Sequence, residues 1–140
     1  MRAINALIAD VFGADGGGAY AERPPSDAWL RAVLRRGDII VLAALAGDRV
    51  VGGLVGYELT KFEQERREFC IFDLAVDAAH RRRGIATALI GWLQRHAARR
   101  RGWVVYVQAD YRDPPAVALY SKLGVREEVL HFDLPVLLPA

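Results

Sequence analysis

The 140-residue sequence is short of the residues that build disulfides and metal centres. Its only cysteine, Cys70, cannot form an internal disulfide, and its three histidines lie far apart, without the spacing of metal ligands. No apolar run reaches the roughly 20 residues that cross a bilayer. We therefore expect a cytoplasmic protein in a reducing compartment, with no bound metal and no membrane partner.

Several common motifs are also missing. The chain has no G-x-x-x-x-G-K-[ST], which argues against a P-loop nucleotide site, and no G-x-G-x-x-G after a strand, which argues against a dinucleotide fold. No serine or threonine lies in a nucleophile elbow. These absences argue against three large classes of enzyme, so the function has to be inferred from the charge distribution and the loops.

The charge of the chain is unevenly distributed. The composition, 53% hydrophobic and 26% charged, is typical of one globular domain spanning residues 1–140, with a formal net charge of +2. Residues 76–102 hold seven arginines against one acid, whereas residues 108–140 hold five acids against three bases. Such a distribution suits two ligands of opposite charge.

Hydrophobic spacing predicts a mixed sheet flanked by helices. The continuous apolar character of residues 68–76 and 103–109 predicts strands buried on both faces. A helix between them implies a right-handed parallel crossover, so the fold class is α+β or α/β. The full set of predicted elements is helices at 3–12, 26–36, 85–101 and 116–124, strands at 38–46, 48–59, 68–76 and 103–109, and one long or two short strands at 127–136.

Local signals predict the ends and buried faces of these elements. Ser26 is the predicted N-cap of the second helix, which carries Trp29 at core spacing, and Asp113-Pro-Pro opens the fourth helix, which Gly124 closes at the C′ position. Residues 13–25 form a glycine- and proline-rich break, and residues 46–49 form the turn between the first two strands. The third helix carries one apolar stripe: Ile85, Leu89, Ile90, Leu93 and Ala97.

The segment HRRRGIAT, residues 80–87, joins the third strand to the longest helix. The first amides of a helix have no intrahelical partner, and the helix dipole makes that end positive, so a phosphate group fits there. Gly84 and Ala86 would let phosphate oxygens reach the backbone. On these residues alone, a solvated basic turn or a nucleic-acid-binding patch remains an alternative.

The sequence resembles the GCN5-related N-acetyltransferases (GNAT) at two motifs. Residues 81–86 match Q/R-x-x-G-x-G/A, and residues 116–124 match A-x-x-L-Y-x-K-x-G. Within that superfamily it is most similar to the type I aminoglycoside 3-N-acetyltransferases, through KFEQERRE, DLAVDAAHRRRGIATALI and YVQADYRDPPAVALYSKLGVREEVLHFD. The resemblance implies a GNAT fold, a mixed central sheet between helices. Because the chain starts almost inside the first helix, we expect the family's first strand to be missing.

The resemblance also implies a reaction. Acetyl-CoA would be the donor and the 3-amine of an aminoglycoside antibiotic the acceptor, by direct attack, with a homodimer as the working form and antibiotic resistance as the outcome. The backbone of Leu74, Ala75 and Val76 would pair with the pantetheine arm. Tyr120 would protonate the departing thiolate. The remaining cofactor-binding residues carried over are Arg81, Arg82, Arg83, Gly84, Ile85, Ala86, Thr87 and Ala116.

Carboxylates are the candidates for handling the acceptor amine. Asp110, at the carboxyl end of the strand 103–109, is predicted to orient the amine and take its proton, and Asp73 is the second candidate. A satisfied structural acid is the alternative for Asp73. An acidic wall for a polycation would comprise Asp113, Glu127, Glu128 and Asp133, although the two glutamates could equally be a solvated face and many family members carry Asn in place of Asp113.

Rival functions remain open from sequence. The acceptor could be a polyamine, a peptide or another small amine. A nucleic-acid-binding module is a rival of a different class, but the acidic C-terminal segment counts against it and we expect no nucleic-acid partner. A protein that senses acetyl-CoA without turnover is the third.

Overall fold

A four-stranded sheet with helices on both sides organises the first 108 residues. The computed structural model describes residues 1–13 and 24–140, and these form two compact units, Met1–Gln108 and Ala109–Ala140. The first unit contains α1 (Arg2–Gly13), α2 (Asp27–Arg35), β1 (Ile39–Ala46), β2 (Arg49–Thr60), β3 (Arg67–Val76), a 3-10 turn (Ala78–His80), α3 (Ile85–Arg99) and β4 (Gly102–Val107). The second contains α4 (Pro114–Leu123).

The strands are arranged in the order β1-β2-β3-β4. Strands β1, β2 and β3 pair antiparallel, and β3 and β4 pair parallel across the α3 crossover. The predicted mixed sheet and parallel crossover are therefore confirmed. In the described residues no strand precedes α1. The predicted glycine-rich break lies largely in residues 14–23, outside the described part of the chain.

Local signals set the element ends as the sequence predicts. The Ser26 hydroxyl accepts a hydrogen bond from the Trp29 amide at 3.2 Å and caps α2. Gly47, with φ of 60°, makes the tight turn between β1 and β2. Helix α3 buries the stripe predicted for it, with Leu89, Ile90, Leu93 and Ala97 in the core.

Two adjacent glycines in β2 let helices approach both faces of the sheet. A Cβ on Gly52 would lie 2.7 Å from Cγ2 of Ile85, the first residue of α3, and a Cβ on Gly53 would lie 2.8 Å from Cγ2 of Ile4 in α1. Successive strand residues point to opposite faces, so one glycine serves each helix. This close packing fixes where α3 begins.

Three burial predictions are wrong. Strand β3 exposes Phe72, whose ring is 71% accessible and packs edge-on against Tyr57. Strand β4, at the edge of the sheet, exposes Trp103, which is 70% accessible and lies under the Arg66 guanidinium. The expected core position of Trp29 is also wrong, since α2 buries only Leu30.

The second unit departs from prediction at its C-terminal end. Asp113 caps α4 by accepting a hydrogen bond from the Ala116 amide at 3.2 Å. Gly124 ends the helix in an extended conformation, with φ of −152°, rather than as a left-handed C′ residue. Residues 125–140 form no strand in the described chain, so the strands predicted at 127–136 are wrong. A strand requires a neighbouring strand for its backbone hydrogen bonds, and the local pattern does not supply one.

Among residues 1–13 and 24–140, no helix combines the length and the apolar character that a membrane span requires.

A buried carboxylate joins three elements of the first unit. The Glu58 side chain on β2 is only 3% exposed and lies 2.8 Å from Arg67 Nε on β3. Arg100, which follows α3, donates to both Glu58 oxygens, at 2.5 and 3.0 Å. A carboxylate in this position is stable only because charged donors surround it.

We expect Glu58→Gln to lower the free energy of unfolding by about 1–3 kcal/mol, because two charge-assisted hydrogen bonds lose their acceptor charge. Urea unfolding measures this change. Glu65→Gln, an exposed glutamate of the β2–β3 connector, is the control and should change stability by less than about 0.5 kcal/mol. Equal stability of the two variants would contradict a structural role for the cluster.

Candidate active site

The loop between β3 and α3 has the geometry of an anion site. Gly84 is the N-cap of α3 with φ of 79°, a left-handed conformation that favours glycine, and it supplies no side-chain cap. The first helical hydrogen bond runs from the Ala88 amide to the Gly84 carbonyl, so the amides of residues 85–87 precede any intrahelical bond. A Cβ built on Gly84 meets no atom within 4 Å. The space beside these amides is open to a ligand.

Neighbouring groups hold the start of this loop. The Asp77 amide donates to the Val51 carbonyl at 2.9 Å, and its carboxylate lies 2.7 Å from His80 Nδ1 and 3.4 Å from Arg49 Nη2. The hydrogen bond with His80 lowers the pKa of Asp77, so the carboxylate stays ionised and keeps its partners. Sequence reasoning missed Asp77, His80 and Arg49, because the contacts of Asp77 with β2 depend on tertiary packing.

The three arginines of the loop differ in their contacts and in their backbone conformation. Arg81 donates from Nε to the Val76 carbonyl at 3.3 Å, which ties the loop to the end of β3. Arg82 adopts a left-handed conformation with φ of 58°, and both it and Arg83 are exposed. A left-handed residue turns successive backbone amides toward one side, as in backbone anion nests. Residues 81–87 thus combine a left-handed turn, two exposed arginines and first-turn amides without intrahelical partners.

Strand β3 continues past the point where its pairing with β4 ends. The last parallel pair joins Ile71 to Val107, whereas β3 runs on to Val76 and pairs there only with β2. The backbone of residues 72–76 is therefore unpaired on its β4 side within the first unit. Leu74, Ala75 and Val76, predicted to pair with a pantetheine arm, lie in this unpaired stretch. An extended amide-containing ligand can hydrogen-bond to such an edge.

A cleft of about 170 Å³ lies between α1, α2 and the sheet. Asp73 is one of its lining residues, together with Tyr57 from β2, Trp29 from α2 and Asn5 from α1. Burial raises the pKa of Asp73, and no hydrogen-bond donor or cation pairs with its carboxylate among the described residues. Burial, and to a smaller extent the Asp73 charge, raise the pKa of Tyr57. Most of the cleft's lining is apolar, and Asp73, Tyr57 and Asn5 supply its polar groups.

Among the residues that line this cleft, only Asp73 was a predicted site residue. Tyr57, Trp29 and Asn5 were missed, because which face of α1 and α2 meets the sheet is decided by packing and not by local spacing.

In the second unit, Asp110 is held by Arg112. Asp110 Oδ1 accepts from the Arg112 amide at 2.8 Å and from its Nε at 3.2 Å, and Oδ2 accepts from Nη2 at 2.9 Å. These hydrogen bonds lower the pKa of Asp110 to about 2. The side chain is still half exposed, so it can meet a second cation.

Tyr120 lies on α4, four residues before the end of that helix at Gly124. Burial and the nearby charge of Asp113 raise the pKa of Tyr120. Its hydroxyl therefore keeps its proton well above neutral pH, as an acid catalyst requires. Asp113 and Ala116 are joined by the helix cap described above, so the predicted residues 110, 113, 116 and 120 form one local group.

The predicted acidic wall is not a set of free charges. Glu128 pairs with Arg126 at 2.7 Å, and Asp133 lies 2.9 Å from His131 Nε2. The side chains of both pairs, Arg126 with Glu128 and His131 with Asp133, are exposed. A polycation would find partly neutralised carboxylates there.

Comparison with known proteins agrees with this geometry. The model of the acetyltransferase (GNAT) family matches residues 5–125. A search of curated protein sequences gives no match.

Solved structures extend the comparison. The aminoglycoside acetyltransferase HMB0005 from an uncultured soil metagenomic sample is 53% identical, with 96% of this chain and 91% of that chain covered and a TM-score of 0.88. The aminoglycoside acetyltransferase meta-AAC0020, also from an uncultured soil metagenomic sample and solved in complex with sisomicin, is 28% identical, with coverage of 96% and 87% and a TM-score of 0.88. A ribosomal-protein-alanine N-acetyltransferase from Brucella melitensis shares the fold, at 21% identity, coverage of 96% and 92% and a TM-score of 0.74.

The family match spans the loop at the start of α3, the unpaired end of β3 and the Tyr120 helix, so both GNAT motifs, residues 81–86 and 116–124, lie inside it. The chain belongs to the acetyltransferase (GNAT) family.

Proposed function

We propose that this protein transfers the acetyl group of acetyl-CoA to the 3-amine of an aminoglycoside antibiotic, in the cytoplasm, and thereby confers resistance. The observation that carries the proposal is the 53% identity to an aminoglycoside acetyltransferase over 96% of the chain. The sisomicin complex of a second relative supports the same acceptor class. The lone Cys70 is in keeping with a reducing compartment.

The residues present fit acetyl-CoA. The amides of residues 81–87 would hold its pyrophosphate, since Gly84 leaves open space beside them. The unpaired edge of residues 74–76 would pair with the amides of the pantetheine arm, with Ala116 and Tyr120 as further contacts. When bound, acetyl-CoA supplies the thioester whose acetyl group the amine accepts.

Direct attack of the acceptor amine on the thioester fits the properties of Cys70 and Tyr120 better than an acyl-enzyme mechanism does. Burial raises the pKa of the Cys70 thiol, so the reactive thiolate is scarce at neutral pH. The Tyr120 hydroxyl, which stays protonated, donates its proton to the departing thiolate sulfur. No covalent intermediate on the protein is needed.

Two carboxylates have different roles toward the acceptor amine: one orients it and the other accepts its proton. Asp110 is ionised at any working pH but is a weak base, because Arg112 holds its pKa at about 2. It orients the ammonium group of the acceptor. Asp73 has the higher affinity for a proton, because burial raises its pKa, and it accepts the proton that the amine loses. Asp113, Glu128 and Asp133 attract the other ammonium groups of the antibiotic.

The acceptor assay is the direct test. Release of the CoA thiol from acetyl-CoA should be fastest with sisomicin, slower with spermidine and slowest with a lysine peptide, and NMR of the product should show acetylation of the 3-amine. Faster turnover with spermidine or the peptide would contradict the aminoglycoside proposal and identify that amine as the acceptor. Tight CoA binding without turnover on any amine would favour a sensor.

We expect Tyr120→Phe to lower kcat by about 10²–10⁴-fold, because the thiolate loses its proton donor. The Kd for acetyl-CoA, measured by calorimetry, should change little. Tyr111→Phe, an exposed tyrosine of the same unit, is the matched control and should keep normal turnover. An equal loss of affinity and turnover in Tyr120→Phe would contradict the acid role.

We expect Asp73→Asn to lower kcat and, at pH 7, to raise the free energy of unfolding. The folded-state pKa of Asp73 is raised, so the folded protein binds this proton more tightly than the unfolded chain does. Its contribution to stability is full below the unfolded-state pKa and is lost as the pH rises through the folded-state pKa. Asparagine has no charge to desolvate and removes that cost. Turnover and urea unfolding at the same pH measure both effects.

The matched variant Asp110→Asn should mainly raise KM for sisomicin, because it removes an exposed carboxylate that orients the amine. Near-normal kcat in Asp73→Asn, with a large loss of kcat in Asp110→Asn, would move the base to Asp110.

A further inference from the structure

Strand β3 contains a β-bulge at Phe72. Val55 of β2 pairs with Asp73 and Gly56 pairs with Ile71, so Phe72 is the extra residue of β3 and has no partner on β2. A bulge interrupts the regular alternation of side chains between the two faces of a sheet and changes the direction of the side chains beside it. The bulge therefore decides which face of the sheet Phe72 occupies.

Phe72 and Asp73 lie on the same face of the sheet. Asp73 is opposite Val55, and both residues line the cleft under α1 and α2. Phe72 reaches that side too, because the centroid of its ring is 5.7 Å from the ring centroid of Tyr57, another residue that lines the cleft. In a regular strand, two consecutive side chains would point to opposite faces. The bulge thus brings an aromatic ring and a carboxylate together.

Three aromatic side chains lie at or beside this cleft. The rings of Phe72 and Tyr57 are nearly perpendicular, with an interplanar angle of 84°, and the Phe72 side chain is largely exposed. Trp29 of α2 lines the cleft and is also exposed. The face of an aromatic ring attracts a cation, so exposed rings next to a carboxylate suit an ammonium group.

The charge balance of the cleft favours a cationic ligand. Asp73 is the only charged side chain among the described residues that line the cleft, and burial is the cause that raises its pKa. Arg36 is close enough to influence Tyr57, but its guanidinium is bound by the Asp38 carboxylate at 2.7 and 3.0 Å. A partly buried carboxylate without a cationic partner is stabilised by a cation that binds beside it.

We propose that the bulge residue Phe72 is a specificity-determining residue, whose ring, together with Tyr57, binds an ammonium group of the acceptor next to Asp73. The inference rests on the proposed function, because the acceptor that it concerns is the aminoglycoside. It adds an aromatic contact to the carboxylates already assigned to this substrate. An acceptor that carries a hydroxyl group in place of that ammonium group would lose the attraction to the ring faces.

The aromatic contact acts on binding more than on turnover. The ring faces attract the ammonium form of the acceptor, which also donates a hydrogen bond to the Asp73 carboxylate. When the proton of that hydrogen bond moves to Asp73, the carboxylate becomes a neutral acid and the ammonium group becomes a neutral amine. The rings then no longer hold the amine by its charge, and its lone pair is free to attack the thioester. Loss of the Phe72 ring should therefore raise KM for the acceptor and leave kcat nearly unchanged.

Steady-state kinetics with sisomicin test the role of the ring. Phe72→Leu keeps an apolar side chain without a ring and should raise KM for sisomicin by about 3- to 30-fold, with little change in KM for acetyl-CoA. Phe72→Trp offers a larger aromatic face and should keep the wild-type KM or lower it. Phe62→Leu, at an exposed phenylalanine of the β2–β3 connector, is the matched control and should behave as the wild type does. Equal KM values for Phe72→Leu and Phe62→Leu, or equal losses in Phe72→Leu and Phe72→Trp, would overturn the proposal.

Calorimetric titration with sisomicin in the presence of CoA separates this proposal from the proposed activity, because it needs no acetyl transfer. If the wild type binds sisomicin without acetylating it, and Phe72→Leu binds it at least about threefold more weakly, the activity fails and the aromatic contact stands. If the wild type acetylates sisomicin and Phe72→Leu binds it equally tightly, the aromatic contact fails and the activity stands. A wild type that does not bind sisomicin overturns both.

Discussion

The extension of β3 beyond the end of β4 is the constraint on which the rest of the first unit depends. Parallel pairing stops at Ile71, yet β3 extends to Val76, so five residues of backbone lie open on one side. The same strand leads straight into the loop that carries Gly84 and the free first-turn amides of α3. An extended ligand can therefore bind along the opened strand and end with its anionic part at the helix terminus. If β4 continued alongside β3, ladder hydrogen bonds would occupy the same backbone groups.

The opened stretch also determines the chemistry of Asp73. This residue lies in the part of β3 that lacks β4 as a neighbour and pairs with Val55 of β2. It is partly buried against the cleft under α1 and α2, which is where its raised pKa originates. The glycine pair in β2 holds α1 and α3 tightly on opposite faces of the sheet. The cleft on one side and the anion loop on the other are therefore connected through a single rigid strand.

Sequence reasoning was accurate where local physics decides the structure. The Ser26 and Asp113 caps, the turn at Gly47 and the buried stripe of α3 are set by nearby residues, and each is confirmed. It was wrong where a distant neighbour decides. An apolar run cannot reveal that β4 is an edge strand exposing Trp103, and alternation cannot supply the partner strand for residues 127–136. The pairing of Asp110 with Arg112 was open to prediction, since the two residues are only two positions apart.

The buried charge of Glu58 restricts which amino-acid substitutions the sequence can accept during evolution. Three positions on different elements, 58, 67 and 100, share one cluster around a buried carboxylate, with the two arginine side chains 42% exposed. Loss of the arginines alone leaves a buried carboxylate without a partner, whereas replacing all three residues by apolar ones can be neutral. Single substitutions at these positions are therefore expected to be destabilising, and only a combined replacement can be neutral. Among relatives, these three positions should covary as a set, which makes them a marker of descent within the family.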